Sequence, residues 1–326
     1  VIQIPARYLR IYIFYRDKLV SLLRLIIIPG FGRVPLYDVL VFFWKGLFEG
    51  SLTLRASSVA FSFFLAIFPF IIFIFTLIPY IPIENFQASL FELFKEIIPS
   101  NTFEAVESTI FDIVMRQNTG LLSVSFVLMF IFSTNGISAI IDGFNSTWHN
   151  IETKTWLQQR LVAIFLLLAL SILVLISIIL ITTGGVLIQW MQLNGWIQSE
   201  FTFVLLQVVQ WLIILLLTFL SISFLYYYAP AKRRTYRFFS PGSILATALL
   251  VAGTLVFNYY VANFSQYNAL YGSIGTLIIF LMWLYFNAII LLIGFELNAS
   301  IKLARLENFT KKQLPAPDIS LPEINK

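Results

Sequence analysis

The chain of 326 residues is 59% hydrophobic and only 11% charged, with a formal net charge of +5 and a mean hydropathy of +0.89. Soluble domains carry roughly 25% charged residues, so this composition excludes a soluble globular protein and indicates a chain built for lipid. The absence of cysteine excludes disulfide frameworks, thiolate metal sites and cysteine nucleophiles.

The N-terminal region precedes the first long apolar run. Its last part, PLYDVLVFFWKGLFEGSLTLRASS at 35–58, is too short to span a bilayer and is rich in Phe, Trp and Leu. This pattern predicts an interfacial amphipathic helix along the inner membrane surface, broken by Gly46 and Gly50. Residues 1–57 are therefore predicted to form cytoplasmic and interfacial helices.

Six apolar runs follow, each long enough to cross a hydrocarbon core of about 30 Å as a helix. The sequence predicts an all-α membrane bundle, with a six-helix domain at 58–301 and a disordered cytoplasmic tail at 302–326, where three prolines occur without periodicity. The predicted spans are 58–79, 121–141, 161–188, 203–229, 240–262 and 273–300.

The segment at 80–120 is the only substantial predicted outer region. Two amphipathic patterns at 86–98 and 102–117, separated by PSN, predict a short helical hairpin. Its excess of acidic residues fits either a solvated helix face or a vestibule that collects cations.

The positions of lysine and arginine predict the orientation, because basic loops stay in the cytoplasm. Of the 21 basic residues, only Lys95 and Arg116 lie in segments predicted to be outside. Both termini are therefore expected on the cytoplasmic side of the membrane, which agrees with an even number of spans. Anionic lipids at the cytoplasmic face are the expected partners of the basic loops.

Motifs for catalysis, metal binding or cofactor binding are not found in the sequence. The single histidine, His149, has no ligand partner at metal-site spacing, and no phosphate-binding glycine loop occurs. The basic run KRR at 232–234 is explained by the membrane surface, so nucleic acid is not an expected partner. We therefore predict no catalytic residue, no metal and no cofactor.

Polar residues inside the apolar runs are the main functional candidates, because unpaired polar groups are costly in hydrocarbon. Asn135 and Gly136 suggest a break or close packing in the second span, and Pro69 suggests a kink in the first. Arg55, Asp142 and Glu296 are expected at one membrane level on three helices, as a salt-bridged cluster that either locks the bundle or binds a headgroup or an ion. The further members of this predicted inner polar cluster are Ser58, Ser62, Asn135, Asn145, Asn287 and Asn298.

An uncharged stretch, NFSQYNALYGSIGTLIIF at 263–280, joins the last two spans. Its glycines permit tight turning, while its polar side chains could cap the last helix or fold back between helices. The stretch is predicted to be either an outer gate or a rigid capping turn. The residues concerned are Tyr267, Asn268, Tyr271, Gly272, Ser273 and Gly275.

Four segments, in order, resemble the YihY/BrkB family of inner-membrane proteins, once misnamed ribonuclease BN. They are LRASSVAFSFFLAIFPFIIF, NGISAIIDGFNSTWH with WLQQRL, YYYAPAKRRTYRFFSPGSILATALL, and FSQYNALYGSIGTLIIFLMWLYFNAIILLIGFELNAS. The resemblance covers roughly residues 35–305 and implies a six-helix inner-membrane protein, loosely linked to envelope integrity and to export of lipid or small solutes. Ser133-Thr134-Asn135 departs from the more apolar pattern of many relatives.

Two functions of different classes remain. A polar-lined bundle with a kinked first helix favours a transporter or exporter of a lipid or a small amphiphilic anion. The alternative is a scaffold for envelope assembly that transports nothing, whose polar groups would be fully paired around a closed core. An enzyme, including a ribonuclease, lacks a candidate nucleophile or metal site. Small residues at Gly242/Ala246 and Ala248/Ala252 allow close packing within one chain or in a homo-oligomer.

Overall fold

The computed structural model describes residues 6–32, 34–97, 100–147, 154–195, 199–231, 237–263 and 273–313. Every regular element in these ranges is a helix, which confirms the predicted all-α class. The helices are α1 (Ala6–Leu25), α2 (Leu36–Glu49), α3 (Leu52–Leu77, extended by a 3-10 turn at Ile78–Tyr80), α4 (Phe86–Ile97), α5 (Ser100–Met115), α6 (Thr119–Asn145), α7 (Trp156–Leu193), α8 (Glu200–Tyr228), α9 (Pro241–Asn263) and α10 (Ser273–Gln313).

Six of these helices are long and apolar enough to cross a membrane, as predicted: α3, α6, α7, α8, α9 and α10. The helical hairpin predicted at 80–120 is also confirmed, since α4 and α5 lie side by side with the rings of Phe91 and Phe111 5.8 Å apart. Large apolar side chains of α7 and α8 remain exposed along most of both helices, as expected of surfaces that face lipid.

The last helix is longer than predicted. With 41 residues, α10 is about 61 Å long, twice the thickness of a hydrocarbon core. Residues 302–313 are therefore helical, and the prediction of a disordered tail from 302 is wrong for this part. The reason is packing: Ala304 is fully buried in an apolar cluster with Phe31 and Val34, to which Ile301 adds a half-buried side chain. The rest of the predicted tail lies outside the described residues.

Two glycines at which a helix break was predicted, Gly46 and Gly136, lie inside continuous helices. Gly46 lies inside α2, which continues to Glu49 and has Gly50 as its C-cap. Likewise α6 passes through Asn135 and Gly136 without interruption. A Cβ at Gly136 would lie 3.5 Å from the ring of Phe63 on α3, so this glycine serves the close packing that was the other prediction. The buried Pro69 lies within a continuous α3, and a kink there stays a prediction.

The core lies where all six long apolar helices, α3 and α6 to α10, meet. The rings of Phe144 on α6 and Phe295 on α10 stack with centroids 4.2 Å apart, and Tyr226 on α8 packs edge-on against both. The Tyr226 hydroxyl donates a hydrogen bond of 2.6 Å to the carbonyl oxygen of Leu291. These contacts fix α10 against α6 and α8, next to the polar residues of α10.

Helices α9 and α10 cross at very short range through small residues. A Cβ at Gly294 would come within 2.7 Å of both the Ala246 Cβ and the Gly242 carbonyl oxygen. The predicted small pair Gly242/Ala246 therefore packs within one chain.

Candidate functional site at the basic end of the bundle

One end of the bundle, where α3 and α9 begin and α6 ends, is called here the basic end because Arg55, Arg160, Arg237, Lys302 and Arg305 lie there. Arg55 stands in the first turn of α3 and is 7% exposed, while Glu296 on α10 is fully buried. The Arg55 Nη2 atom lies 3.3 Å from Glu296 Oε2, and Nη1 donates a hydrogen bond of 2.9 Å to the Gly143 carbonyl oxygen on α6. One guanidinium thus ties three membrane-spanning helices together.

The space for this ion pair comes from a glycine on α2. A Cβ at Gly46 would collide with Glu296 Oε1 and lie 2.6 Å from its carboxyl carbon. A Cβ at Gly50 would lie 3.0 Å from Arg55 Nη2. The two glycines thus let α2 pack directly against the ion pair, whose buried charges need to be closely matched.

A pocket with a volume of about 400 Å³ opens beside Arg55. Its walls come from the α2–α3 corner and from the last turns of α6, and its polar lining is Glu49, Ser51, Arg55, Ser58, Asp142 and Ser146. We call this space the inner pocket. Its lining combines a guanidinium, two carboxylates and three hydroxyl groups, all of which can bind polar ligands.

Asp142 does not join the ion pair as the sequence predicted. Its side chain is exposed on the rim of the inner pocket, and Oδ1 accepts a hydrogen bond of 2.6 Å from Gln159 Nε2 on α7. Glu296, which lies on α10 and not on α6, forms the ion pair with Arg55. The three residues share a level, but the predicted triad is a pair with a separate acid on the rim.

Other members of the predicted cluster are not brought together. Asn135 is exposed and accepts a hydrogen bond of 2.6 Å from Arg160 Nη1, and Asn287 donates to the Trp283 carbonyl oxygen of its own helix at 2.7 Å. Ser62 donates to the Ser58 carbonyl oxygen at 2.9 Å. Of this group only Ser58 lines the inner pocket.

Asn298 holds the start of α9. Its Oδ1 accepts a hydrogen bond of 2.9 Å from the Gly242 backbone N–H, and its Nδ2 donates to Ser240 Oγ at 2.8 Å. These bonds cap a helix N-terminus, which is a structural role. Ser240 was missed as its partner, although Ser-Pro-Gly before an apolar run is a recognisable helix start.

Several buried polar atoms have no hydrogen-bond partner in the described part of the chain. Both amide atoms of Asn145, at the end of α6, are in this state, and so is Arg55 Nε. Unpaired buried donors and acceptors cost free energy, and a site for a polar ligand is one reason for a structure to keep them.

The predicted outer gate falls mostly outside the described residues. This holds for Tyr267, Asn268, Tyr271 and Gly272. Ser273 is the first residue of α10, and Gly275 is buried. The two alternatives for this stretch, an outer gate and a rigid capping turn, stay predictions. Within the described ranges, no three His, Cys, Asp or Glu side chains come close enough to hold a metal ion.

Comparison with known proteins gives a consistent set of relatives. The sequence model of a family described as virulence factor BrkB matches residues 43–318. The chain is 30% identical to the ribonuclease-like protein YfkH of Bacillus subtilis, over 75% of this chain and 88% of that protein. It is 24% identical to a UPF0761 membrane protein of Tolumonas auensis, over 84% of this chain and 89% of the relative. The same identity relates it to UPF0761 membrane protein NTHI0384 of Haemophilus influenzae, over 79% and 93%. No solved structure matches the chain.

Proposed function

The chain belongs to the virulence factor BrkB family, and from this premise and the geometry of the basic end we propose that it exports a lipid or a small amphiphilic anion across a bacterial inner membrane. The observation that carries the proposal is the inner pocket of about 400 Å³ with Arg55 in its wall. A guanidinium in a partly dehydrated pocket attracts phosphate and carboxylate groups more strongly than one in water.

The proposed entry step uses the donor capacity that Arg55 retains. Nη1 and Nη2 are engaged by Gly143 and Glu296, whereas Nε has no acceptor among the described residues. An anion entering the pocket would compete with Glu296 for the guanidinium and weaken the tie between α3 and α10. Ligand binding would thus be coupled to a change in helix packing, as alternating access requires.

We propose that the basic end faces the cytoplasm, with both termini on that side. Six crossings return the chain to the side on which it began, and the basic side chains cluster where the positive-inside rule expects cytoplasm. In this orientation the inner pocket would receive its substrate from the cytoplasmic leaflet or from the cytosol.

A scaffold without transport is the second candidate, and the packed core favours it. Beyond Arg55, the centre of the bundle is filled by apolar side chains such as Ile137, Ile141 and Phe144, all at most 4% exposed. Transport requires this region to open in another conformation, whereas a scaffold would keep it closed.

Reconstitution in liposomes tests the choice between the two functions. Labelled anionic phospholipid and small organic anions are followed across the bilayer for the wild type and for Arg55→Ala, Glu296→Gln and Ser58→Phe. Ser58→Phe fills the inner pocket without removing the ion pair, and Ser57→Phe is its control because Ser57 is exposed and does not line the pocket. Transport predicts at least a tenfold loss for Ser58→Phe and little loss for Ser57→Phe. Wild-type rates equal to those of protein-free liposomes would favour the scaffold.

A further inference from the structure

A second cavity at the basic end has a volume of about 410 Å³ and lies apart from the inner pocket. It is enclosed by the turn before α2, the start of α9 and the C-terminal part of α10. We call it the basic cavity. The lining residues that matter for the argument are Gly30, Gly32, Arg237, Lys302, Arg305 and Phe309.

The basic cavity has a strong excess of positive charge. Three of its lining residues are basic, and none of the described lining residues is acidic. Arg237 and Arg305 are exposed, and neither takes part in an ion pair in the described part of the chain. This differs from Arg55, whose charge is matched by Glu296. Cations gathered in a concave site without a carboxylate create a potential that attracts anions.

Two glycines keep the cavity open. Gly30 and Gly32 have φ angles of +95° and +70°, which residues other than glycine rarely adopt. A Cβ at Gly30 would lie 3.2 Å from Pro241 Cγ, and a Cβ at Gly32 would lie 3.4 Å from Arg305 Cδ. The turn therefore passes close to both walls without filling the space between them.

The positive charge comes from side chains and not from the adjacent helix end. The Gly242 N–H is used by Asn298, and the Ser243 N–H lies 3.2 Å from Ser240 Oγ. The Arg305 guanidinium lies 5.6 Å from the centre of the Phe309 ring, in a cation–π arrangement that restricts its position. Ile301, Leu306 and Phe309 add an apolar wall beside the arginines.

We propose that the basic cavity binds the phosphate group of an anionic amphiphile. Guanidinium and ammonium groups are the side chains that bind phosphate best, and the apolar wall suits the adjoining glycerol and first acyl carbons. The cavity lies on the part of α10 that extends beyond the roughly 20 residues needed to cross a hydrocarbon core, so we expect it near the lipid headgroups. Basic pockets between helices at this depth suit anionic headgroups. A water-soluble phosphate ester offers the same chemistry, and the experiment separates the two sources.

Calorimetric titration of the full chain in neutral detergent tests the proposal. The probes are dihexanoyl phosphatidylglycerol, dihexanoyl phosphatidylcholine and glycerol 3-phosphate. The variants are Arg237→Gln, Arg305→Gln and the double variant, with Lys18→Gln as the control. Lys18 is an exposed basic residue of α1 that does not line the basic cavity, so it matches the loss of charge. The two arginines are exposed, so their replacement leaves the core intact, and a thermal melt verifies this.

We expect phosphatidylglycerol to bind, with about a tenfold loss of affinity for each arginine removed and no loss for Lys18→Gln. Weaker binding of glycerol 3-phosphate would identify a lipid headgroup, and equal binding with the same dependence on the arginines would identify a soluble phosphate ester. Equal affinity for phosphatidylcholine, no binding of any probe, or no loss in the double variant would overturn the proposal. None of these readouts depends on transport, so the result is independent of the proposed export function.

Discussion

The inner pocket and the basic cavity lie at the same end of the bundle and have similar volumes, about 400 and 410 Å³. They differ in whether their basic side chains are buried and in whether a carboxylate balances them. In the inner pocket the cation is buried, and Glu296 from another helix matches it at 3.3 Å. In the basic cavity the arginines are exposed, and no described lining residue is acidic.

This difference follows from depth. A guanidinium taken out of water needs a counter-charge from the protein, because burial of an unpaired ion costs several kcal/mol. At the rim, water and dissolved ions screen the charge, so a cation can stay there without a protein partner. The inner pocket is thus part of what holds the helices together, whereas we expect the exposed arginines of the basic cavity to contribute little to stability.

Breaking the buried pair should have the largest effect. We expect Arg55→Met or Glu296→Leu alone to lower the free energy of unfolding by about 3–5 kcal/mol, because each leaves an uncompensated buried charge. The double variant should be much less destabilised than the sum of the two. Thermal unfolding in detergent measures the differences. The exposed pair of Asp112 on α5 and Arg116 just after this helix, at 2.9 Å, is the control, and its double-mutant cycle should give less than about 1 kcal/mol. Additive effects of Arg55→Met and Glu296→Leu would mean that the two charges are not coupled.

A smaller loss of stability is expected when α2, which packs over the Arg55–Glu296 ion pair, is changed at Gly46. Gly46→Ala puts a methyl group where the Glu296 carboxylate lies, and overpacking of this kind costs about 1–3 kcal/mol. The matched control is Gly185→Ala on α7, where a Cβ would meet nothing within 4 Å. The midpoint of thermal unfolding should fall for Gly46→Ala and stay unchanged or rise for Gly185→Ala. Equal midpoints for the two variants would show that α2 does not cover the pair.

The fold could be predicted well from the sequence, because a long apolar run directly indicates a helix that is surrounded by lipid rather than water. Six helices long and apolar enough to span a membrane, the helical hairpin between the first two of them and the family resemblance were confirmed. The C-terminal limit of α10 was wrong because the whole tail was judged from its three prolines and its lack of periodicity, whereas Ala304 is buried against Phe31, a residue far away in the sequence. Such a tertiary contact leaves no local pattern in the sequence.

For the candidate site, the sequence predicted the depth of the charged residues along their helices but not which side chains pair. Helix rise places Arg55, Asp142 and Glu296 at one depth, but which of them face each other depends on how each helix is rotated. Gly46 was predicted to break a helix because glycine has low helix propensity, whereas the structure uses it for its lack of a side chain. A propensity scale cannot separate these two uses, because they differ only in what lies opposite the glycine.

The smallest expected effect concerns the acid on the rim of the inner pocket. Asp142 accepts its hydrogen bond from Gln159 at 2.6 Å and is exposed, so Asp142→Asn should change the free energy of unfolding by less than about 1 kcal/mol. Gln159→Leu removes the other partner of the same bond and should have an equally small effect. Thermal melts of both variants beside Glu296→Gln measure the contrast between rim and interior. If Asp142→Asn were as destabilising as Glu296→Gln, Asp142 would have to share the Arg55 charge, and the inner pocket would contain the three-residue cluster that the sequence alone predicted.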